Sequence, residues 1–159
     1  DNYIEIVKHR LYRPEEFGEV PRYSGQKTVY TILYKILQDF SIFFPFITEE
    51  IYQELYHDNK SIHLTEIKPL EFNFNRELEI GDLIIDIISS VRGQKTINSV
   101  SLKTPVKNLK LSVNKELKDA IESSIKDFRA TLFIQNLEMN QVSGDYSIDD
   151  VELELEKNE

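Results

Sequence analysis

The sequence predicts a mainly α-helical fold, a helical bundle followed by a small βαββ subdomain. Apolar residues recur at helical spacing through 26–40 and again through 77–92. The period then switches to strict alternation at Leu109, Leu111 and Val113, the mark of a strand. These patterns divide the chain into residues 1–98, the bundle, and residues 99–159, the α/β subdomain.

Residues 2–13 are the first expected helix. Ile4, Val7 and Leu11 form one stripe, Arg10 and Arg13 lie opposite, and Pro14 ends it. Apolar side chains begin by the third residue without a cap, as in a helix cut within its length. Residues 15–25, with Gly18, Pro21 and Gly25, are expected to form a loop. In the next helix Val29, Ile32, Leu33, Ile36, Leu37 and Phe40 share one face. Pro45 interrupts, and Thr48 is expected to cap a short helix whose Glu49 and Glu50 favour the positive dipole end. Ile47 and Tyr52 stand where a hydrophobic staple would sit. Phe40, Phe43, Phe44 and Phe46 are expected in the bundle core rather than as base-stacking platforms.

Residues 58–76 read as irregular, with a short strand at Ile62, His63 and Leu64. Ile80, Ile84, Ile87 and Val91 define the longest helix, widened by Leu83, Ile85 and Ile88, with a stop at Gly93. After the strand at 109–113, Asn114 caps a helix over about 115–127 with Leu117, Ala120, Ile121 and Ile125 inward. A second strand is expected at Ala130, Leu132 and Ile134, and a turn at Ser143, Gly144 and Asp145. Val151, Leu153 and Leu155 alternate with glutamates as a third strand. Strand–helix–strand connections in one sheet make the first two strands parallel.

Composition narrows the function. The chain has 159 residues and no cysteine, which excludes a disulfide scaffold, a thiolate zinc site and a cysteine nucleophile. No apolar run approaches the ~18–20 residues of a membrane span, and no basic segment followed by an apolar block marks a signal peptide. Gly93-Gln94-Lys95-Thr96 lacks both glycines of a phosphate loop, so it reads as a helix end. His57 and His63 lie six apart with no cysteine nearby, a poor metal pair, and His9 stands alone. Asn59-Lys60-Ser61 has the form of a glycosylation triplet, expected to be unused without a secretion signal. Acidic pairs such as Glu49/Glu50 and Asp149/Asp150 read as solvated surface. No catalytic or metal constellation is found.

Charge is unevenly placed. The formal net charge is −9, but residues 36–90 carry −8, residues 91–118 carry +6, and residues 137–159 carry −7. Because screening confines fields to roughly 8–10 Å, local sign outweighs the total. The island holds Arg92, Lys95, Lys103, Lys107, Lys110, Lys115 and Lys118 against Glu116 alone. Two readings are open at this level. The island contacts phosphates with counterion release, or it is a solvated face whose cations complement a helix C-terminus.

Several stretches carry a family resemblance. Asp1-Asn2-Tyr3-Ile4-Glu5-Ile6-Val7-Lys8-His9-Arg10-Leu11-Tyr12 resembles the second bundle helix of the anticodon-binding domain in valyl-type class I aminoacyl-tRNA synthetases. Pro45-Phe46-Ile47-Thr48-Glu49-Glu50-Ile51-Tyr52-Gln53, the most specific stretch, is similar to the opening of a later helix in valyl and isoleucyl enzymes. Ser61-Ile62-His63-Leu64, Val91-Arg92 and Ser101-Leu102-Lys103-Thr104-Pro105-Val106 resemble segments that follow in the same order, so the resemblance covers roughly residues 1–136. Val7–Tyr12 and Ser101–Val106 favour the valyl type over the isoleucyl alternative. Ile67-Lys68-Pro69 lacks the family's tryptophan, and the first bundle helix, the nucleotide-binding signatures and the coiled-coil arm of some members are missing.

The resemblance implies a fragment that does no catalysis by itself and binds no cofactor of its own. The parent would be a cytoplasmic valine–tRNA ligase using ATP and magnesium. This region would grip the anticodon stem-loop of tRNA(Val), with the rest of the synthetase chain as its other partner. Loops of RNA are read by splayed bases on aromatic or guanidinium groups, with cations along the backbone. The candidate RNA contacts are Lys8, Arg10 and Arg13 in the first helix, and Arg92, Lys95, Lys103 and Lys107 at the junction. The two acidic flanks are expected to face away from RNA. A protein-interaction module is the alternative, docking or self-associating through the face left by the missing helix or through the acidic last strand.

Overall fold

The computed structural model describes residues 2–56, 60–69 and 74–154. Asp1, His57, Asn59, Leu155 and Glu156 lie outside them. The described chain is mainly helical and ends in a small mixed sheet, the predicted class. It runs α1 (Asn2–Tyr12), α2 (Pro14–Phe17), α3 (Glu19–Phe40), α4 (Pro45–Tyr56), a 3-10 turn (Ile62–Leu64), α5 (Asn75–Ile97), β1 (Val106–Val113), α6 (Lys115–Ser123), α7 (Ile125–Leu132), β2 (Ile134–Gln141) and β3 (Ser147–Leu153). Two compact units result: residues 1–17 with 74–159, and residues 18–73.

In the first unit the sheet order is β2-β1-β3. β1 pairs parallel with β2, Val106 beside Ile134 and Leu111 beside Met139. On its other edge it pairs antiparallel with β3, Val106 beside Leu153 and Ser112 beside Ser147. The alternation in β1 puts Val106, Leu109, Leu111 and Val113 in the core. Ile87, Ile88 and Val91 of α5, Leu117 and Ile121 of α6, and Phe128 and Leu132 of α7 complete it. Each such side chain contributes about 1.5–3 kcal/mol on leaving water. Asn114 caps α6 as expected, its side-chain oxygen accepting from Leu117 N at 2.9 Å. α1 packs on α7, and Val7 is buried. Ile4 of the expected stripe is exposed, and Ile6 meets the core instead.

Three expectations fail here. The α5 helix passes through Gly93 to Ile97, where Asn98 caps it and Ser99 turns the chain at φ 56. Ala130 and Leu132 are helical, not strand. Asp127, Phe128, Thr131 and Leu132 form one buried helix face, and the Thr131 hydroxyl donates to Asp127 O at 2.7 Å. Their alternation with Ile134 continues across a helix end, where Phe133 takes a left-handed φ of 59. The expected helix over 115–127 is therefore two helices joined at Ser124, giving βααββ.

The second unit corrects four more expectations. Of the expected loop over residues 15–25, residues 19–25 belong to α3 and 15–17 to α2. Pro21 is the third residue of α3, within the first turn where a missing N–H leaves nothing unpaired. The break falls at Gly18, whose φ of 91 suits only glycine. Pro45, not Thr48, opens α4; buried Thr48 donates its hydroxyl back to Phe44 O at 2.8 Å, and Ile47 of the expected staple is half-exposed. Residues 62–64 form a 3-10 turn, not a strand, because Ser61 Oγ accepts from His63 N at 3.2 Å and the Thr65 hydroxyl donates to Ile62 O at 2.6 Å. Glu49 anchors that turn, accepting from Ser61 Oγ and Ile62 N, both at 2.9 Å.

The phenylalanines are the fourth. Leu37, Tyr52 and Ile62 are the buried core of this unit, with Leu33, Tyr34, Ile51 and Tyr56 against them. That core covers only part of the apolar stripe on α3. Phe43 is 74% exposed and Phe46 89%, while Phe40 and Phe44 stack on each other at 6.1 Å on the surface.

Candidate nucleic-acid interface

All seven candidate cations fall in the unit of residues 1–17 and 74–159. The fold treats them differently. On α1, Lys8 Nζ bonds Glu5 Oε2 at 2.7 Å one turn back. The hydrogen bond and charge of Lys8, with the charge of Arg92 added, hold the Glu5 carboxyl below its usual range. Glu5 and Arg92 line one groove between α1 and α5 with Asn2, Ile6, Ile88 and Ser89. Lys8 and Arg92, 84 positions apart by number, therefore act on one carboxylate. The guanidinium of Arg92 has no hydrogen-bonded carboxylate among the described residues.

Arg10 points elsewhere. Its Nε and Nη2 meet Asp127 Oδ1 and Oδ2 at 2.7 and 2.6 Å, a two-pronged pair that joins α1 to α7. The hydrogen bonds to Asp127 hold its charge against burial. Arg13, at the end of α1, bonds His9 Nδ1 at 2.7 Å and Glu16 at 3.2 Å. Burial, then the charges of Arg13 and Lys8, push the His9 ring below its ordinary pKa. A neutral His9 can accept from Arg13, and its ring lies parallel to Phe17 at 6.4 Å.

Lys95 is fully buried. Its Nζ donates to Leu132 O at 2.8 Å and Leu102 O at 3.1 Å, tying the end of α7 to the turn before β1. Burial, then the charge of Arg92, pulls its pKa down to about 8. Lys103 is exposed and carries no ion pair among the described residues. Lys107 is exposed but bonded to Glu152 on β3 at 2.9 Å.

Two acidic side chains of the last stretch, Glu138 and Glu152, lie beside the basic island. Lys107 pairs with Glu152, Lys110 pairs with Glu138 on β2 at 3.2 Å, and Asn108 also meets Glu152. Cross-strand neighbours of opposite sign stabilise such a sheet modestly. Two cations outside the island complete the picture. Lys126 and Arg129, one turn apart on α7, line a cleft with Arg13. Their signal in the sequence is the i, i+3 spacing of Lys126 and Arg129 on the exposed face of α7, with Phe133 just beyond its end.

The chain matches the model of the anticodon-binding domain of tRNA ligase over residues 1–113. It is 36% identical over 114 residues to the valine–tRNA ligase of Rickettsia canadensis (strain McKiel), covering 70% of this chain and 14% of that protein. Against the valine–tRNA ligase of Orientia tsutsugamushi (strain Boryong) it is 33% identical over 159 residues, 95% of this chain and 18% of that one. The valine–tRNA ligase of Thermococcus kodakarensis is 29% identical over 163 residues, 99% of this chain and 18% of its own length. The chain spans less than a fifth of each of these relatives. It belongs to the family of anticodon-binding domains of tRNA ligases.

Proposed function

We propose that this chain is the part of a cytoplasmic valine–tRNA ligase that grips the anticodon stem-loop of tRNA(Val). In this reading the parent enzyme joins valine to tRNA with ATP and magnesium in a domain outside this chain. Residues 1–98 supply the helical grip, and residues 99–159 supply the subdomain carrying Lys103 and Lys107. The observation that supports it best is Arg92 of α5, set beside Lys8 of α1 across Glu5. Cations from distant stretches meet on one surface, as a curved phosphate backbone requires. Lys8, Arg13, Arg92, Lys103 and Lys107 are the proposed backbone contacts, while Arg10 and Lys95 position them. No helix among the described residues is long and apolar enough to cross a membrane.

Filter binding of transcribed tRNA(Val) across a salt series tests the reading. The expected result is a steep salt slope and at least about tenfold weaker binding on reversing Lys8, Arg92 and Lys103 to Glu together. Salt-independent binding, or no loss in the triple variant, overturns it. Equal binding of an unrelated tRNA removes the valine assignment alone. Self-association is part of the same proposal, supported by the exposed Ile4 and Tyr12 of α1, and is tested by light scattering across concentration.

A further inference from the structure

Phe133 sits in the left-handed region at φ 59, a conformation bulky residues rarely keep unless the surroundings enforce it. Three hydrogen bonds enforce it. Its own N–H reaches Arg129 O, its carbonyl accepts from Val106 N at 2.9 Å, and Lys95 Nζ grips the preceding carbonyl of Leu132 at 2.8 Å. The ring is 38% exposed, and Lys95 Nζ stands 5.6 Å from its centroid. A strained backbone thus holds an aromatic ring partly in water at the end of α7, with a buried cation against it.

That ring lines a cleft of about 400 Å³ with Arg13, Lys126, Arg129, Glu16 and Phe17. Three cations meet one carboxylate there. Glu16 is occupied by Arg13, and Glu16 O accepts from Lys126 Nζ at 2.8 Å, which aims Lys126 at the cleft. Arg129 has no ion pair among the described residues. Arg10, through Asp127, fixes the end of α1 against α7 and so places Arg13 at the rim. The volume falls at the lower end of the about 300–1,000 Å³ typical of small-ligand sites, the scale of one nucleotide. An aromatic platform beside a guanidinium without an ion pair and an ammonium held only by a carbonyl is the chemistry of single-stranded nucleic acid recognition.

We infer that this cleft binds one unpaired nucleotide of an RNA strand, the base stacking on Phe133 and its phosphate held by Arg129, Lys126 and Arg13. The inference rests on the reading that the chain binds RNA. It adds a site on α7, outside the basic island.

The test uses the full chain and two probes, an RNA hairpin with 2-aminopurine in its unpaired loop and the fully paired duplex of the same stem. Wild type should bind the hairpin more tightly and change the 2-aminopurine signal. Arg129→Glu and Lys126→Glu should each weaken hairpin binding by about tenfold and shrink the salt slope by about one. Phe133→Leu should lose about 5- to 150-fold for the hairpin, keep the salt slope and leave the duplex unchanged. Phe133→Tyr should keep the signal. Phe133→Gly relieves the left-handed strain while removing the ring, so a folded Phe133→Gly that still discriminates hairpin from duplex overturns the inference. Loss only in Arg92→Glu and Lys103→Glu, with the α7 variants unchanged, overturns it and leaves the proposed function standing. No hairpin or duplex binding by wild type overturns both. Displacement by poly-glutamate as effective as by the hairpin assigns the cleft to an acidic protein segment and overturns it too.

Discussion

Arg10 and Asp127, 117 positions apart, share two parallel hydrogen bonds of 2.7 and 2.6 Å. Asp127 is nearly buried at 6% side-chain exposure, and Arg10 keeps 20%. A carboxylate so enclosed depends on this one guanidinium. Removing either partner strands the other charge. Asp127→Ala or Arg10→Ala should therefore cost about 2–4 kcal/mol in urea unfolding. The double variant should cost clearly less than the two together, a coupling of about 1–3 kcal/mol. Arg10→Lys should rescue little, because an ammonium cannot form the fork. Strict additivity would show that the pair is not coupled.

Lys95 gives a pH signature of known sign. Its folded pKa is about 8 against an ordinary 10.5, lowered by burial first and Arg92 second. Between those values the unfolded chain holds the extra proton. Stability therefore rises as pH climbs from about 8 towards 10.5, and is flat in this respect below 8. Lys95→Met should abolish that rise while leaving Leu132 O and Leu102 O without their donor. Chemical unfolding followed across this alkaline range decides it. A wild-type curve that falls there like the variant's would contradict the burial of the ammonium.

Glu49 works in the opposite window. Burial raises its carboxyl, but the hydrogen bonds from Ile62 N, Ser61 and Gln53 outweigh it and set the folded pKa below the ordinary 4.5. Its contribution is present above that value and is lost as pH falls through the folded pKa. Glu49→Ala should release the 3-10 turn. Amide exchange at Ile62 and His63 should then quicken selectively, with α5 and β1 unaffected. Unchanged protection at Ile62 would place the anchor elsewhere.

Glu152 restrains the basic island. It holds Lys107 at 2.9 Å and also meets Asn108. Glu152→Gln should free a cation and tighten tRNA binding roughly two- to fivefold at low salt, an advantage that fades as salt rises. Weaker binding in Glu152→Gln would show that the pair orders Lys107 for contact instead of occupying it. Titrating labelled tRNA at two salt concentrations separates these outcomes.

What could be read from the residues alone follows from local physics. The period of α5, the alternation of β1, the Asn114 cap and the amphipathic α6 each encode their element within one short window. Elements decided by single-residue signals fared worse. Pro21 and Pro45 read as breaks, yet each sits in a first helical turn where proline costs little. The alternation at Ala130 and Leu132 carried no strand, because Asp127, Phe128, Thr131 and Leu132 bury one helix face and the strand begins only at Ile134.

The candidate interface shows the same division. By itself the sequence determined the family pattern, the mainly helical class with its C-terminal sheet, and a basic stretch at 91–118. Only the tertiary structure decided which cations remain free. It buried Lys95 under two carbonyls, spent Arg10 on Asp127, and laid the acidic β3 beside Lys107. It also brought Lys126, Arg129 and Phe133 to the end of α1, where Arg13 meets them. Charge along a chain is a local property, whereas its availability depends on partners up to 117 residues away, and those pairings exist only once the sheet and α7 have closed around them.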